Sequence, residues 1–294
     1  MSLNGCYACP RGCGVDRDNG ELGVCGQSSQ MRISRISLHE FEEPPISGKN
    51  GSGTIFFCGC SLGCVFCQNK QISRGRTVGR LYTERELADE MLALQKMGAT
   101  NINLVTPTHF SKGIIDTLQM VKGELDIPVV YNTSGYESVE TLKGFEGLVD
   151  IYMPDFKYMS RELADKYSSA PDYPDVAQDA IRQMYSQVGK CVYGEDGLLK
   201  KGLIIRHLAL PASRRDSIEV LKKIAEIVPV DEVLLSLMSQ YTPDFAMDCE
   251  FNELHRRLTS FEYSSVVDVA RELGFDGFIQ AHSSATKKYT PNFS

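Results

Sequence analysis

Gly53 to Asn69 reads GTIFFCGCSLGCVFCQN: an apolar run empties into a short loop that holds four of the chain's ten cysteines. The run predicts a buried strand, after which Cys60, Cys64 and Cys67 follow in C-x3-C-x2-C spacing. One tight loop with three thiolates can wrap a face of a cubane iron–sulfur cluster, which takes a Cys on each iron when fully ligated. Three thiolates leave one iron open. The loop therefore reads as a reaction centre rather than a plain electron carrier. Cys58 lies outside that spacing and reads as a buried thiol at the strand end.

The 294 residues are 42% hydrophobic with a formal charge of −7, enough for one large α/β domain with an ample core. An acidic chain repels polyanions, which disfavours nucleic acid and acidic membranes as partners. The opening residues lack the apolar core of a signal peptide and no run has the length of a membrane span. A cytoplasmic protein is expected, and there clustered cysteines point to metal or cluster binding instead of disulfides. Cys191 and Cys249 stand apart and read as plain thiols.

Residues 1–30 form a cysteine-rich appendage with Cys6, Cys9, Cys13 and Cys25 in C-x2-C-x3-C-x11-C order. The segment has too little apolar side chain for a core, so a metal staple is expected. Four thiolates suit zinc or a second iron–sulfur cluster, and spacing does not choose between them. Residues 31–52 are a connector, with a short strand around Ile33, Ile36 and Leu38 before Pro44-Pro45.

From 53 to 280 strand and helix patterns alternate, and 281–294 form a tail. Thr83 to Gly98 opens with a Thr cap and a Glu three positions on, the signature of a helix start. Six apolar strands separated by helices predict a parallel sheet covered on both faces, either doubly wound or a partial barrel. Both architectures place chemistry at the C-terminal strand ends. Polar residues gather there: Thr106, Thr108 and His109; Asn132 and Thr133; Asp155 and Lys157; Arg206 and His207; Ser239 and Gln240.

With Phe66 just before the last cysteine, the Cys60, Cys64, Cys67 motif resembles the radical S-adenosylmethionine superfamily, and within it the relatives of the pyruvate formate-lyase activating enzyme. The likeness runs from about 41 to 280, and the N-terminal CxxCPRxCG segment resembles a subgroup of those relatives. It implies a partial (β/α)6 barrel with a small N-terminal metal-binding appendage, a [4Fe-4S] cluster on the first loop, and S-adenosylmethionine on the open iron. Reductive cleavage would give a 5′-deoxyadenosyl radical that takes hydrogen from a substrate: a glycine of a partner protein, a peptide or a small molecule. The electron would come from a flavodoxin or ferredoxin.

The resemblance places Phe66, Thr106, Thr108, Asn132, Thr133, Met153, Asp155, Lys157 and Arg206 at the cofactor, with a monovalent cation near Asp155. A guanidinium suits the cofactor carboxylate, and an oxygen-rich site suits a hard cation. Two departures stand out. Thr106-Pro107-Thr108-His109 replaces a Gly-Gly-Glu segment that receives the cofactor amine, and Asn132 replaces an acid. His109 is a candidate acid–base group, His207 an outward-facing packed histidine, and Tyr241, Thr242 and Pro243 candidates for the substrate mouth. The rival from another class is a non-catalytic iron–sulfur electron-transfer or metal-sensing protein.

Overall fold

The computed structural model describes residues 5–75 and 78–280; the tail at 281–294 lies outside them. Ten strands run β1 (Met31–His39), β2 (Ser52–Phe57), β3 (Arg80–Tyr82), β4 (Ile102–Val105), β5 (Val129–Thr133), β6 (Ile151–Pro154), β7 (Val192–Tyr193), β8 (Leu199–Leu208), β9 (Leu234–Met238) and β10 (Gly277–Ile279). The helices are α1 (Pro44–Ser47), α2 (Lys70–Ser73), α3 (Glu84–Lys96), α4 (Ser111–Val121), α5 (Val139–Lys143), α6 (Arg161–Ser168), α7 (Tyr173–Val188), α8 (Arg214–Ile227) and α9 (Ser260–Glu272).

The strands lie in the order β10-β9-β8-β6-β5-β4-β2-β1-β3, with β7 paired to β8. From β2 to β10 along this path every pairing is parallel, whereas β1 pairs antiparallel to β2 and β3 to β1. Each βα unit therefore places its strand beside the previous one, and the order never reverses as a doubly wound sheet's does. That decides between the two architectures: a singly wound, barrel-like curl. Among the described residues β3 and β10 end the path, so the sheet is mixed and not closed.

Helix starts follow local chemistry. Thr83 and Glu86 make a reciprocal capping box on α3, which buries Leu87, Ala88, Met91 and Leu94 against the sheet. Thr259 and Glu262 do the same for α9. Most of the apolar core lies between such helix faces and the outer face of the sheet.

Alternation sends the other side chains inward. Val130, Ile151, Met153, Ile204 and Leu234 form a separate apolar layer inside the curl, joined by Ile46 from α1. The Ile46 carbonyl accepts hydrogen bonds from Thr100 Oγ1 and Asn101 Nδ2, both at 2.6 Å, so α1 is tethered as a plug in the barrel floor. Two residues further along the strands, the inward positions turn polar: Asn132, Arg206 and Ser236. That change of polarity marks where the site begins.

Candidate active site

One cavity of about 310 Å³ joins the cysteine loop to the strand ends: its walls include Cys60, Cys64, Cys67, Asn132, Asp155 and Arg206. The volume is at the lower end of small-molecule sites. β2 delivers the loop. Gly59 follows at φ +85°, where a Cβ would meet the Cys25 carbonyl oxygen and Gln27 Cγ at 2.6 Å each. Only glycine permits that approach.

The three thiols face one another. Burial first, then the neighbouring Cys64 and Cys67, push the Cys60 thiol up to about 12, and burial and Cys64 raise that of Cys67. Ser168 Oγ lies 3.1 Å from Cys64 Sγ and Ser73 Oγ lies 3.4 Å from Cys67 Sγ. Phe66, between the second and third thiols, lines the cavity and packs edge-on against Tyr167 and Tyr241, each 6.3 Å between centroids.

Opposite the thiols lies a charged network. Arg206 Nε donates to Asp155 Oδ1 at 2.9 Å and its Nη2 to Asn132 Oδ1 at 2.7 Å, while Lys157 Nζ donates to Asp155 Oδ2 at 2.6 Å. Burial pushes the Asp155 carboxyl up, but the Arg206 and Lys157 charges outweigh it and hold the group below the usual range. Burial likewise opposes the charge on Arg206, which Asp155, Glu43 and Glu42 more than restore. Those two glutamates come from the connector before α1 and share the cavity wall. Sequence reasoning passed over them, although acidic residues directly before a Pro-Pro pair that seeds a buried helix were the available signal.

The other expected residues divide. Thr106, Thr133 and Lys157 line the cavity. Thr106 adopts φ +58°, a strained conformation for a β-branched residue, while its backbone N–H donates to the Asn132 carbonyl at 2.8 Å. Thr108 is placed elsewhere: its hydroxyl donates to Glu137 at 2.5 Å, on a buried carboxylate that Thr133 and Tyr131 also reach. Met153 packs in the apolar layer beneath Asp155. His109 is buried with Nε2 2.7 Å from the Cys58 carbonyl, and His207 with Nδ1 2.7 Å from that of Phe156. Tyr241 is buried off the cavity and donates to the Leu254 carbonyl at 2.5 Å, and Thr242 turns to Asp244; the strand-end loop folds onto the body here instead of framing a mouth.

The N-terminal segment docks on the cysteine loop. Arg11, half-buried, donates to the carbonyls of Ser61, Ser168 and Ser169; Arg17, which is buried, donates to those of His109, Gln27 and Ser28. Its four thiols sense one another: burial raises Cys9 to about 12 and also raises Cys25, with Cys6 a neighbour of both. Among the described residues no group of three or more Cys, His, Asp or Glu side chains is gathered as a single-ion site, and no helix is long and apolar enough to cross a membrane.

A singly wound β/α curl with a three-thiol loop beside a polar cavity defines the class of protein. The radical SAM superfamily model matches residues 54–200. Uncharacterized protein MJ0674 of Methanocaldococcus jannaschii is 30% identical over 283 residues, an alignment spanning 92% of this chain and 75% of that protein. The chain belongs to the radical SAM superfamily. Among solved structures, Streptococcus suis SuiB bound to precursor peptide SuiA superposes with a TM-score of 0.51 at 15% identity, over 77% of this chain and 48% of SuiB, so the chain spans about half of that protein. This likeness is one of fold. SuiB bound to S-adenosylmethionine gives a TM-score of 0.49 at 14% identity, over 76% of this chain and 48% of SuiB.

The family implies a [4Fe-4S] cluster and S-adenosylmethionine, and the residues present fit them. Three thiols converge on one cavity, and burial first, then the neighbouring thiols, disfavours the thiolates of Cys60 and Cys67 until a cationic centre offsets it. A cubane spreads its ligands over separate irons, so its three-thiol face is wider than a one-ion site.

Proposed function

We propose that this chain cleaves S-adenosylmethionine reductively at a [4Fe-4S] cluster on Cys60, Cys64 and Cys67, and takes hydrogen from a substrate in the same cavity. The carrying observation is that the three thiols and the Asn132–Arg206–Asp155–Lys157 network line one cavity at the C-terminal strand ends. When bound, the reduced cluster and S-adenosylmethionine together supply a 5′-deoxyadenosyl radical. The protein's residues do the positioning. Arg206 and Lys157, fixed by Asp155, present cationic donors to a carboxylate; Thr106 and Thr133 add hydroxyls; Phe66 closes the wall over the loop and, with Tyr167 and Tyr241, keeps water from its apolar side.

In the finer reading the chain acts as an activating-enzyme relative on a glycine of a partner protein, with a flavodoxin or ferredoxin as electron donor, a monovalent cation beside Asp155, and zinc or a second cluster on Cys6, Cys9, Cys13 and Cys25. Support for it comes from the motifs. SuiB, a structural neighbour, was solved with a precursor peptide, which is compatible with a peptide substrate. The test is anaerobic reconstitution, reduction and addition of S-adenosylmethionine. Formation of 5′-deoxyadenosine is expected; none under any reducing condition would favour the electron-transfer rival. Deuterium passing from a candidate substrate into 5′-deoxyadenosine would identify the substrate.

A further inference from the structure

Each sulfur of the Cys60, Cys64, Cys67 loop receives a hydrogen bond, and the donors differ. Cys60 Sγ accepts from the Leu62 backbone N–H at 3.4 Å, within the loop itself. The other two accept from side-chain hydroxyls brought in from outside it: Ser168 Oγ donates to Cys64 Sγ at 3.1 Å and Ser73 Oγ to Cys67 Sγ at 3.4 Å. Local structure explains how both arrive. The loop runs straight into α2, where the Lys70 N–H donates to the Cys67 carbonyl at 3.2 Å and the Ser73 N–H to that of Asn69 at 2.9 Å, so one turn carries Ser73 back to Cys67. Ser168 comes from 104 positions away, at the C-terminus of α6. That helix end is docked on the loop by the Val65 N–H, which donates to the Tyr167 carbonyl at 2.9 Å, and by Arg11, which donates to the Ser168 carbonyl at 2.9 Å.

Ser168 is itself backed by a second hydroxyl. It is buried, and its Oγ lies 2.9 Å from the Tyr158 hydroxyl, which is also buried. A sulfur bound to iron carries no proton, so Ser168 donates to Cys64 and Tyr158 donates to Ser168. Burial first, then Cys64, pushes the Tyr158 hydroxyl well above its ordinary value, so it keeps its proton. Two hydroxyls in series polarise each other in such a buried place. An electron added to an iron–sulfur centre puts negative charge on its sulfurs, and a donor aimed at those sulfurs therefore favours the reduced form.

We propose that Ser168, backed by Tyr158, and Ser73 are positioning residues that act through Cys64 and Cys67 to raise the reduction potential of the cluster. The inference rests on the cofactor reading above and extends it from the residues that hold the cluster to those that set its potential. The step they assist is uptake of one electron from an external low-potential reductant: the reductant is oxidised, the cluster is reduced, no bond forms or breaks, and each hydroxyl keeps its proton.

The test uses anaerobically reconstituted full-length wild type, Ser168→Ala, Ser73→Ala, the double variant and Tyr158→Phe. Each is titrated with dithionite without S-adenosylmethionine and followed by the electron paramagnetic resonance of the reduced cluster. Each serine variant is expected to lower the reduced-to-oxidised ratio at a fixed applied potential about threefold and the double variant about tenfold, the latter being about 59 mV for one electron. Tyr158→Phe keeps the ring and removes only the outer hydroxyl, so a smaller fall in the same direction is expected; it carries the test should Ser168→Ala disturb the end of α6. Wild-type iron content at an unmoved or higher potential would make the hydroxyls packing groups and overturn the proposal. So would variants that lose iron or melt lower while the loaded fraction keeps the wild-type potential. Wild type that takes up no four-iron cluster, or a cluster that survives Cys64→Ala, would refute the cofactor reading and the proposal with it, whereas a cluster on these ligands with unmoved potentials refutes the proposal alone.

Discussion

Arg11 Nε donates to the Ser61 carbonyl at 2.8 Å across 50 positions of sequence, which ties the N-terminal cysteine segment to the loop between Cys60 and Cys64. The same guanidinium reaches Ser168 at 2.9 Å and Ser169 beyond it, so one fork spans the loop and the end of α6. Charge-assisted bonds of this kind contribute about 1.5–3 kcal/mol each when intact. Arg11→Ala is expected to lower the melting temperature and the iron retained after reconstitution. Arg11→Lys should recover only part of both, because a point charge cannot fork. Iron content equal to wild type in both variants would show the loop to be self-supporting.

Cys58 and Cys64 give the sharpest contrast at the loop. Cys58 is fully buried, its thiol donates to the Val78 carbonyl at 3.2 Å, and burial pushes it up to about 11. It packs with Phe56, Ile72 and Val105, away from the other three. Cys58→Ala is expected to keep the cluster absorbance and Cys64→Ala to lose it. The reverse result would reassign the ligands.

The β/α alternation was legible because each strand is a near-continuous apolar run between helical periods, and six such runs are the six parallel core strands, β2, β4, β5, β6, β8 and β9. Strand-end positions were legible too, since Asn132, Asp155 and Arg206 follow their runs directly. What local pattern does not carry is which way a loop turns. Thr106 and Thr108 are two apart, yet the 3-10 turn at Thr108–Phe110 sends Thr108 to Glu137 and leaves Thr106 on the cavity. Glu42 and Glu43 fell within the connector and drew no reading of their own, because it is the tertiary placing of Ile46 in the inner apolar layer that brings them to the cavity wall.

Asp155 is held between Arg206 and Lys157, all three side chains mostly shielded from solvent. Removing one partner of a buried charge cluster costs about 3–5 kcal/mol because the remainder is left uncompensated. Asp155→Asn is expected to destabilise the fold by that order and to release Arg206 towards Glu42. Denaturant unfolding checks it: a loss under about 1 kcal/mol would mean that the cluster is effectively solvated.

Thr106 offers a test of stored strain. A β-branched residue in the left-handed region costs about 1–3 kcal/mol, whereas Thr→Gly at an ordinary site destabilises. Since φ at Thr106 is +58°, Thr106→Gly is expected to melt no lower than wild type while weakening S-adenosylmethionine binding through loss of the hydroxyl. A clear drop in melting temperature would show that the hydroxyl's contacts outweigh the strain.

His207 ties the outer face of β8 to the connection after β6, and its titration gives the pH dependence a sign. Nδ1 lies 2.7 Å from the Phe156 carbonyl and so carries the proton, leaving Nε2 a buried lone pair without a partner. Burial pushes the group down to about 4; the Phe156 carbonyl opposes this, the Lys157 charge adds to it, and Asp155 opposes it weakly. The unfolded chain takes up a proton near the ordinary value of about 6.5, well before the folded chain does. The contribution is therefore fully present above the unfolded value, declines as pH falls towards 4, and is gone below it. His207→Asn keeps a donor for the Phe156 carbonyl and removes the titration. Denaturant melts at pH 7 and pH 5 are expected to show wild type losing more stability on acidification than the variant. Parallel losses would mean that the folded chain protonates His207 as readily as the unfolded chain does, so that its burial does not hold the imidazole neutral.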